Sequence, residues 1–276
     1  MAQEVHKKHQ ADVLYAVMGI LRADDRVLGV ALTGSYSKGK NDAFSDIDLM
    51  CYFKTEERSG RTELYNAVGA VAPLLCRLWL YDLNALYLFE NGVRLDLDFH
   101  PPSALKQLMW SNQCRILHDP AGALASAARE SKGPSESAPH PPHFRAGDPG
   151  FVDWFFWMFR QVVCWTKRGA QGGEKAYDKL SGAVESLSQI RTHLVLMRQW
   201  VYGQRDYAAN IDLDQTARLA ATFPRLEPTE ILNCASRLFD EFERVGPEYC
   251  QKAGLPYPTQ KAAVMKCLMQ EFGSMK

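Results

Sequence analysis

The chain has 276 residues, with 32 Lys plus Arg against 32 Asp plus Glu and a formal net charge of zero. That length carries a real hydrophobic core and has room for two domains, while the even charge argues against a polyanionic partner such as long nucleic acid and in favour of a small molecule. Seven cysteines, Cys51, Cys76, Cys114, Cys164, Cys234, Cys250 and Cys267, are scattered and never form a Cys-x-x-Cys pair, which reads as reduced, mostly buried thiols rather than a disulfide framework or a zinc site. The polar start MAQEVHKKHQ is not followed by a signal-type apolar segment, and no run approaches about 18 apolar residues, so a cytoplasmic protein with no membrane partner is expected.

In chain order, Val13, Leu14, Val17, Ile20 and Leu21 recur at helical spacing and predict an amphipathic helix over residues 5–23. His6 and His9 sit at its polar start and read as solvated surface residues. The next stretch, VLGVALTGSYSKGKNDAFSDIDLMCYF over residues 27–53, organises the chain. It reads as two strands joined by a small-residue turn. Alternation in the second strand sends Asp46 and Asp48 to one exposed face and Ile47 and Leu49 into the core. Two carboxylates held that close repel each other unless a cation lies between them, and hard oxygen donors suit Mg²⁺. Beside them, Gly34 lets a phosphate approach the backbone and the Ser35 hydroxyl can bond it, so metal-bound phosphate is the natural ligand.

Residues 61–77 carry Leu64, Val68, Val71, Leu74 and Leu75 in helical periodicity and predict a helix that Pro73 kinks or interrupts. A strand over residues 83–89 reaches Asn91-Gly92, a tight-turn dipeptide, and the strand VRLDLDF follows. It places Asp96 and Asp98 on one face, and spacing alone does not choose between them. Ser103 opens a helix to Trp110, and residues 114–117 form a last short strand. His100 and His118, near strand ends, read as ordinary edge residues.

Gly-Ser, ten residues, then Asp-x-Asp resembles the signature of the polymerase beta type nucleotidyltransferase superfamily. Thr33, Gly34, Ser35, Tyr36, Lys38, Gly39, Asp42, Phe44, Ser45, Asp46, Ile47 and Asp48 fall where that family's loop puts similar residues. Its small antibiotic-modifying members are the nearer match. The resemblance implies a third carboxylate on a later strand, and the run apolar-Asp-apolar ahead of Pro101 favours Asp96.

Residues 121–150 turn Ala-rich and then dense in Pro, Ser and Gly, which predicts a linker or mobile loop. From residue 151 the chain reads helical: an aromatic run with Phe151, Trp154, Phe155, Phe156, Trp157 and Phe159, a long helix over residues 174–202, a shorter one ending at Phe223, then helices over 229–250 and 259–272. The aromatic run is expected to be chiefly core, with about one or two rings left to stack on a base or acceptor. The expected fold class is α+β: an N-terminal domain with a mixed sheet over residues 1–120, a linker over 121–150, and a C-terminal helical bundle over 151–276. That layout resembles the kanamycin-type and lincosamide-type nucleotidyltransferases.

The resemblance and the residues together imply transfer of a nucleoside monophosphate, AMP from ATP, to a hydroxyl of a small molecule such as an aminoglycoside or lincosamide. About two Mg²⁺ ions would be held by Asp46, Asp48 and Asp96, with Gly34, Ser35, Lys38 and Lys40 at the triphosphate. Relatives draw a general base from the helical half, which makes Glu174, Asp178 and Glu185 candidates beside Asp98 of the sheet. A different class is a nucleotidyltransferase-fold regulatory or antitoxin-type protein with a protein partner. The oligomeric states expected are monomer and homodimer.

Overall fold

The structure is a computed structural model that describes residues 2–56, 60–80, 84–105, 114–130, 147–148, 150–173, 175–202, 222 and 224–274. The chain divides into two compact units, Met1–Pro142 and His143–Lys276.

The first unit is built on a six-stranded sheet of order β3-β4-β5-β2-β1-β6. Its strands are β1 (Val27–Leu32), β2 (Ile47–Phe53), β3 (Leu74–Leu80), β4 (Asn84–Phe89), β5 (Arg94–His100) and β6 (Arg115–His118). All neighbours run antiparallel except β2 and β5, which are parallel. One face is apolar. Val30 and Leu32, Ile47, Leu49 and Cys51, Tyr87 and Phe89, and Leu95, Leu97 and Phe99 share a single core with Val13, Val17 and Leu21 of α1 (Ala2–Ala23) and Leu64 and Val68 of α3 (Arg61–Gly69). The period of two on the strands and of three to four on the helices accounts for that core.

The other face is divided. At one end Ala31 and Tyr52 pack on Leu124 and Ala127 of α4 (Ala123–Glu130). Gly29 permits this approach, because a Cβ there would overlap the Leu124 side chain. Along the same face stand the half-buried Asp48, Asp96 and Asp98.

Three expectations are corrected here. The helix read over residues 61–77 stops at Gly69, and Leu74 onward is strand β3, because Pro73 cannot donate to a continuing helix and Leu75, Cys76 and Leu78 are buried in the sheet. The Ala-rich start of the segment read as linker is α4, whose docking on β1 supplies the burial that its composition conceals; residues 131–146 lie outside the described residues. The Asn91-Gly92 turn forms as read, with Gly92 at φ +79 and the Phe89 amide donating to the Val93 carbonyl at 3.0 Å. His6 is buried at 4% exposure rather than solvated. Pro102–Ala104 forms a 3₁₀ turn where the helix to Trp110 is expected to begin, Leu105 is helical, and the rest of that helix falls at residues 106–113, outside the described residues.

The second unit is helical, as the sequence predicts: α5 (Gly150–Ala170), α6 (Ala176–Tyr202), α7 (Pro228–Lys252) and α8 (Thr259–Ser274). α5 packs against the other three. Phe151, Trp154, Phe155, Phe156, Trp157 and Phe159 are all buried; Phe155 meets Phe242 at 4.9 Å between ring centroids, and Trp154 stacks on His193 at 3.9 Å. Across the bundle, Arg198 donates to a buried Glu241 at 2.7 Å. The short helix expected to end at Phe223 lies outside the described residues. No described helix is long and apolar enough to cross a membrane.

Candidate active site

The parallel register of β2 and β5 decides how the acidic residues meet. Ile47 pairs with Leu95, Asp48 with Asp96, Leu49 with Leu97 and Met50 with Asp98. In-register neighbours on a sheet share a face, so Asp48 and Asp96 stand side by side while Leu95 and Leu97 enter the core. Asp98 lies two residues farther along the same face, beside Met50, and accepts a short hydrogen bond from the Asn84 amide of β4.

β1 ends at Leu32, and the chain turns through Thr33 into α2 (Gly34–Ser37), one turn long. Thr33 is tied to β2, its amide donating to the Asp48 carbonyl at 2.9 Å. Gly34 has φ +63, a left-handed conformation that favours glycine, and a Cβ at this position would run into the Asp48 carboxylate. The backbone at Gly34 therefore lies directly against the Asp48 carboxylate. Ser35 is half-buried, whereas Lys38 and Lys40 are exposed on the loop that follows. The Lys40 amide closes the loop by donating to the Ser35 carbonyl at 3.0 Å.

Electrostatics mark the acidic face. Burial, then repulsion from Asp96 and Asp46, pushes the Asp48 carboxyl up to about 7. Burial also raises Asp96 to about 6, with Arg94 opposing the rise. Asp98 is raised by burial and partly relieved by the Asn84 hydrogen bond. These are the signs of carboxylates crowded into a partly desolvated place with too little positive charge.

The cation already present is Arg94, which sequence reasoning missed. Its Nη2 lies 3.2 Å from Asp96 and 3.5 Å from Asp46, with the side chain only 10% exposed. Burial works against its charge, but Asp46 and Asp96 hold its pKa above the usual arginine range. A faint signal exists: Arg94 has the parity of Asp96 and Asp98 on β5, so a basic side chain falls on the acidic face.

The donor set fits a divalent metal in kind, being hard carboxylate oxygen that burial leaves short of countercharge. Among the described residues, however, no group of three or more His, Cys, Asp or Glu side chains is gathered as a metal cluster. Asp46 and Asp96 are drawn to the Arg94 guanidinium instead.

Asp178 and Glu185 are exposed on α6 of the second unit, and Glu174 is outside the described residues. His100 ends β5 beside Tyr52, its ring buried enough to lower its pKa to about 4. It lies on the acidic face, as the parity of Asp96 and Asp98 requires.

Residues 15–107 match the family model described as a nucleotidyltransferase domain. No curated protein matches the chain. Among solved structures, an aminoglycoside 6-adenyltransferase from Bacillus subtilis is similar at 13% identity and TM-score 0.39, covering 96% of this chain and 98% of that one. A STING-associated CdnE c-di-GMP synthase from Capnocytophaga granulosa is similar at 8% identity and TM-score 0.30, covering 91% of this chain and 83% of that one. The family match spans β1, β2, β5 and the loop between the first two, the elements that carry Gly34, Asp46, Asp48 and Asp96, so the similarity to a nucleotidyltransferase domain falls on the part of the chain that holds the acidic face.

Proposed function

We propose that the protein transfers AMP from ATP to a hydroxyl group of a small molecule, of the aminoglycoside or lincosamide kind, in the cytoplasm. The observation that carries this reading is the in-register pair Asp48 and Asp96, with the Gly34 backbone lying against Asp48. It joins a place for a phosphate to a place for the charge that phosphoryl transfer needs.

Asp46, Asp48 and Asp96 would hold Mg²⁺, about two ions by the resemblance, and the metal supplies charge neutralisation at the transferred phosphoryl group. The turn at Gly34 and Ser35 receives the outer phosphates, with Lys38 and Lys40 as exposed countercharge on the same loop. The acceptor oxygen attacks the α-phosphorus, the bond from that phosphorus to the bridging oxygen breaks, and pyrophosphate leaves with the electron pair. The acceptor proton passes to a carboxylate. Asp98 suits this role best among the candidates, since it shares the acidic face and the Asn84 hydrogen bond fixes one of its oxygens. Arg94 orients Asp46 and Asp96.

The test combines purified protein, ATP labelled at the α-phosphate, Mg²⁺ and a panel of aminoglycosides and lincosamides. Label on an acceptor with one pyrophosphate released per transfer is the expected result, and Asp98→Asn should lower turnover while leaving ATP binding in place. Absence of both pyrophosphate release and ATP binding would end the reading.

A further inference from the structure

The position of Asp46 depends on a turn that is held from a distant element. Residues 42–45 form a tight, internally bonded corner ahead of β2. The Phe44 amide and the Ser45 hydroxyl both donate to Asp42 Oδ1 at 2.9 Å, the Asp42 amide donates to Ser45 Oγ at 2.9 Å, and the Ser45 amide donates to the Asp42 carbonyl at 3.1 Å. Ala43, Phe44 and Ser45 are buried. Three carbonyls of this corner point at one donor: Gln10 Nε2 of α1 lies 2.9 Å from the Ser45 oxygen, 3.2 Å from that of Asp42 and 3.5 Å from that of Ala43.

Gln10 is fully buried, on the side of α1 that faces the corner. The convergence of three acceptors fixes which end of the amide is nitrogen. The other end, Oε1, is buried with no hydrogen-bond partner among the described residues. An unsatisfied buried acceptor costs free energy that an apolar residue of similar volume would not incur. What the amide provides in return is the anchoring of carbonyls that lie immediately before Asp46.

We propose that Gln10 is a positioning residue of the acidic site: by pinning the 42–45 corner to α1 it sets where β2 begins, and so where Asp46 and Asp48 stand against Asp96. The functional half of this inference rests on the transferase reading above. Mg²⁺ demands near-ideal octahedral geometry, so a displaced carboxylate penalises Mg²⁺ more than the softer, more tolerant Mn²⁺.

The test compares wild type with Gln10→Met, which keeps the packing volume and removes the donors, and with Gln10→Leu, which also removes them in a shorter side chain and answers the same question if the first variant does not fold. In metal-free protein, amide hydrogen exchange over residues 44–48 should accelerate about tenfold, with the β5 amides unchanged. Mn²⁺ affinity, read by electron paramagnetic resonance, should fall several-fold, and the ratio of Mn²⁺-supported to Mg²⁺-supported turnover should rise. A folded variant with wild-type exchange, Mn²⁺ affinity and metal ratio overturns the proposal and leaves the transferase reading standing. A wild type that binds no Mn²⁺ and releases no pyrophosphate ends that reading and the functional half of this one, while the exchange data still decide whether Gln10 holds the corner.

Discussion

Asp48→Asn should stabilise the metal-free protein at alkaline pH while abolishing transfer. Burial and the neighbouring carboxylates raise Asp48 from an ordinary 3.8 to about 7. Because the folded value lies above the unfolded one, the folded protein holds the extra proton between about pH 4 and 7. The stability that this proton confers is complete below about pH 4 and lost as pH rises through 7. Holding the bare carboxylate at pH 8 corresponds to a penalty of about 4 kcal/mol. Water entry and relaxation of Asp96 and Asp46 return part of it, leaving about 1–3 kcal/mol as the expected gain from the neutral isostere. Urea denaturation at pH 8 and pH 4 measures this directly. The variant should exceed wild type at pH 8 and match it at pH 4. Equal destabilisation at both values would show that Asp48 is not electrostatically crowded, and the site's charge argument would fail.

Arg94→Met removes the guanidinium from between Asp46 and Asp96 and should cost about 3–5 kcal/mol, the usual penalty for leaving buried partners uncompensated. Added Mn²⁺ should then raise the variant's urea midpoint more than that of wild type. Gly34→Ala forces a Cβ into the Asp48 carboxylate at a left-handed φ, so a loss of about 1–2 kcal/mol in stability and of at least about tenfold in kcat is expected from denaturation and pyrophosphate assays.

Much of this site was legible because strand alternation is strict. Asp48, Asp96 and Asp98 had to share a face once their strands were recognised, while Asp46 falls just ahead of β2, and Gly34 with Ser35 marked the turn. Register was not legible: only the parallel pairing brings Asp96, rather than Asp98, beside Asp48. Strand β3 was misread because Leu64, Val68, Val71, Leu74 and Leu75 satisfy helical spacing across a break made by Gly69 and Pro73. Arg94 and Gln10 escaped for a different reason. A basic strand residue and a helix glutamine look like solvent-facing positions until tertiary contacts bury them, and local pattern holds no record of such long-range partners. In the second unit the aromatic run was readable as core by its width alone, and Phe151, Trp154 and Phe159 are buried as that width requires.

The most direct measurement is a crystal structure with Mg²⁺ and an ATP analogue that cannot be cleaved between the α and β phosphates. Metal is expected within about 2.0–2.1 Å of carboxylate oxygens of Asp46, Asp48 and Asp96, with phosphate oxygens against the backbone at Gly34 and Ser35. Nucleotide bound elsewhere, with Arg94 still joining Asp46 to Asp96 and no metal at Asp48, would contradict it.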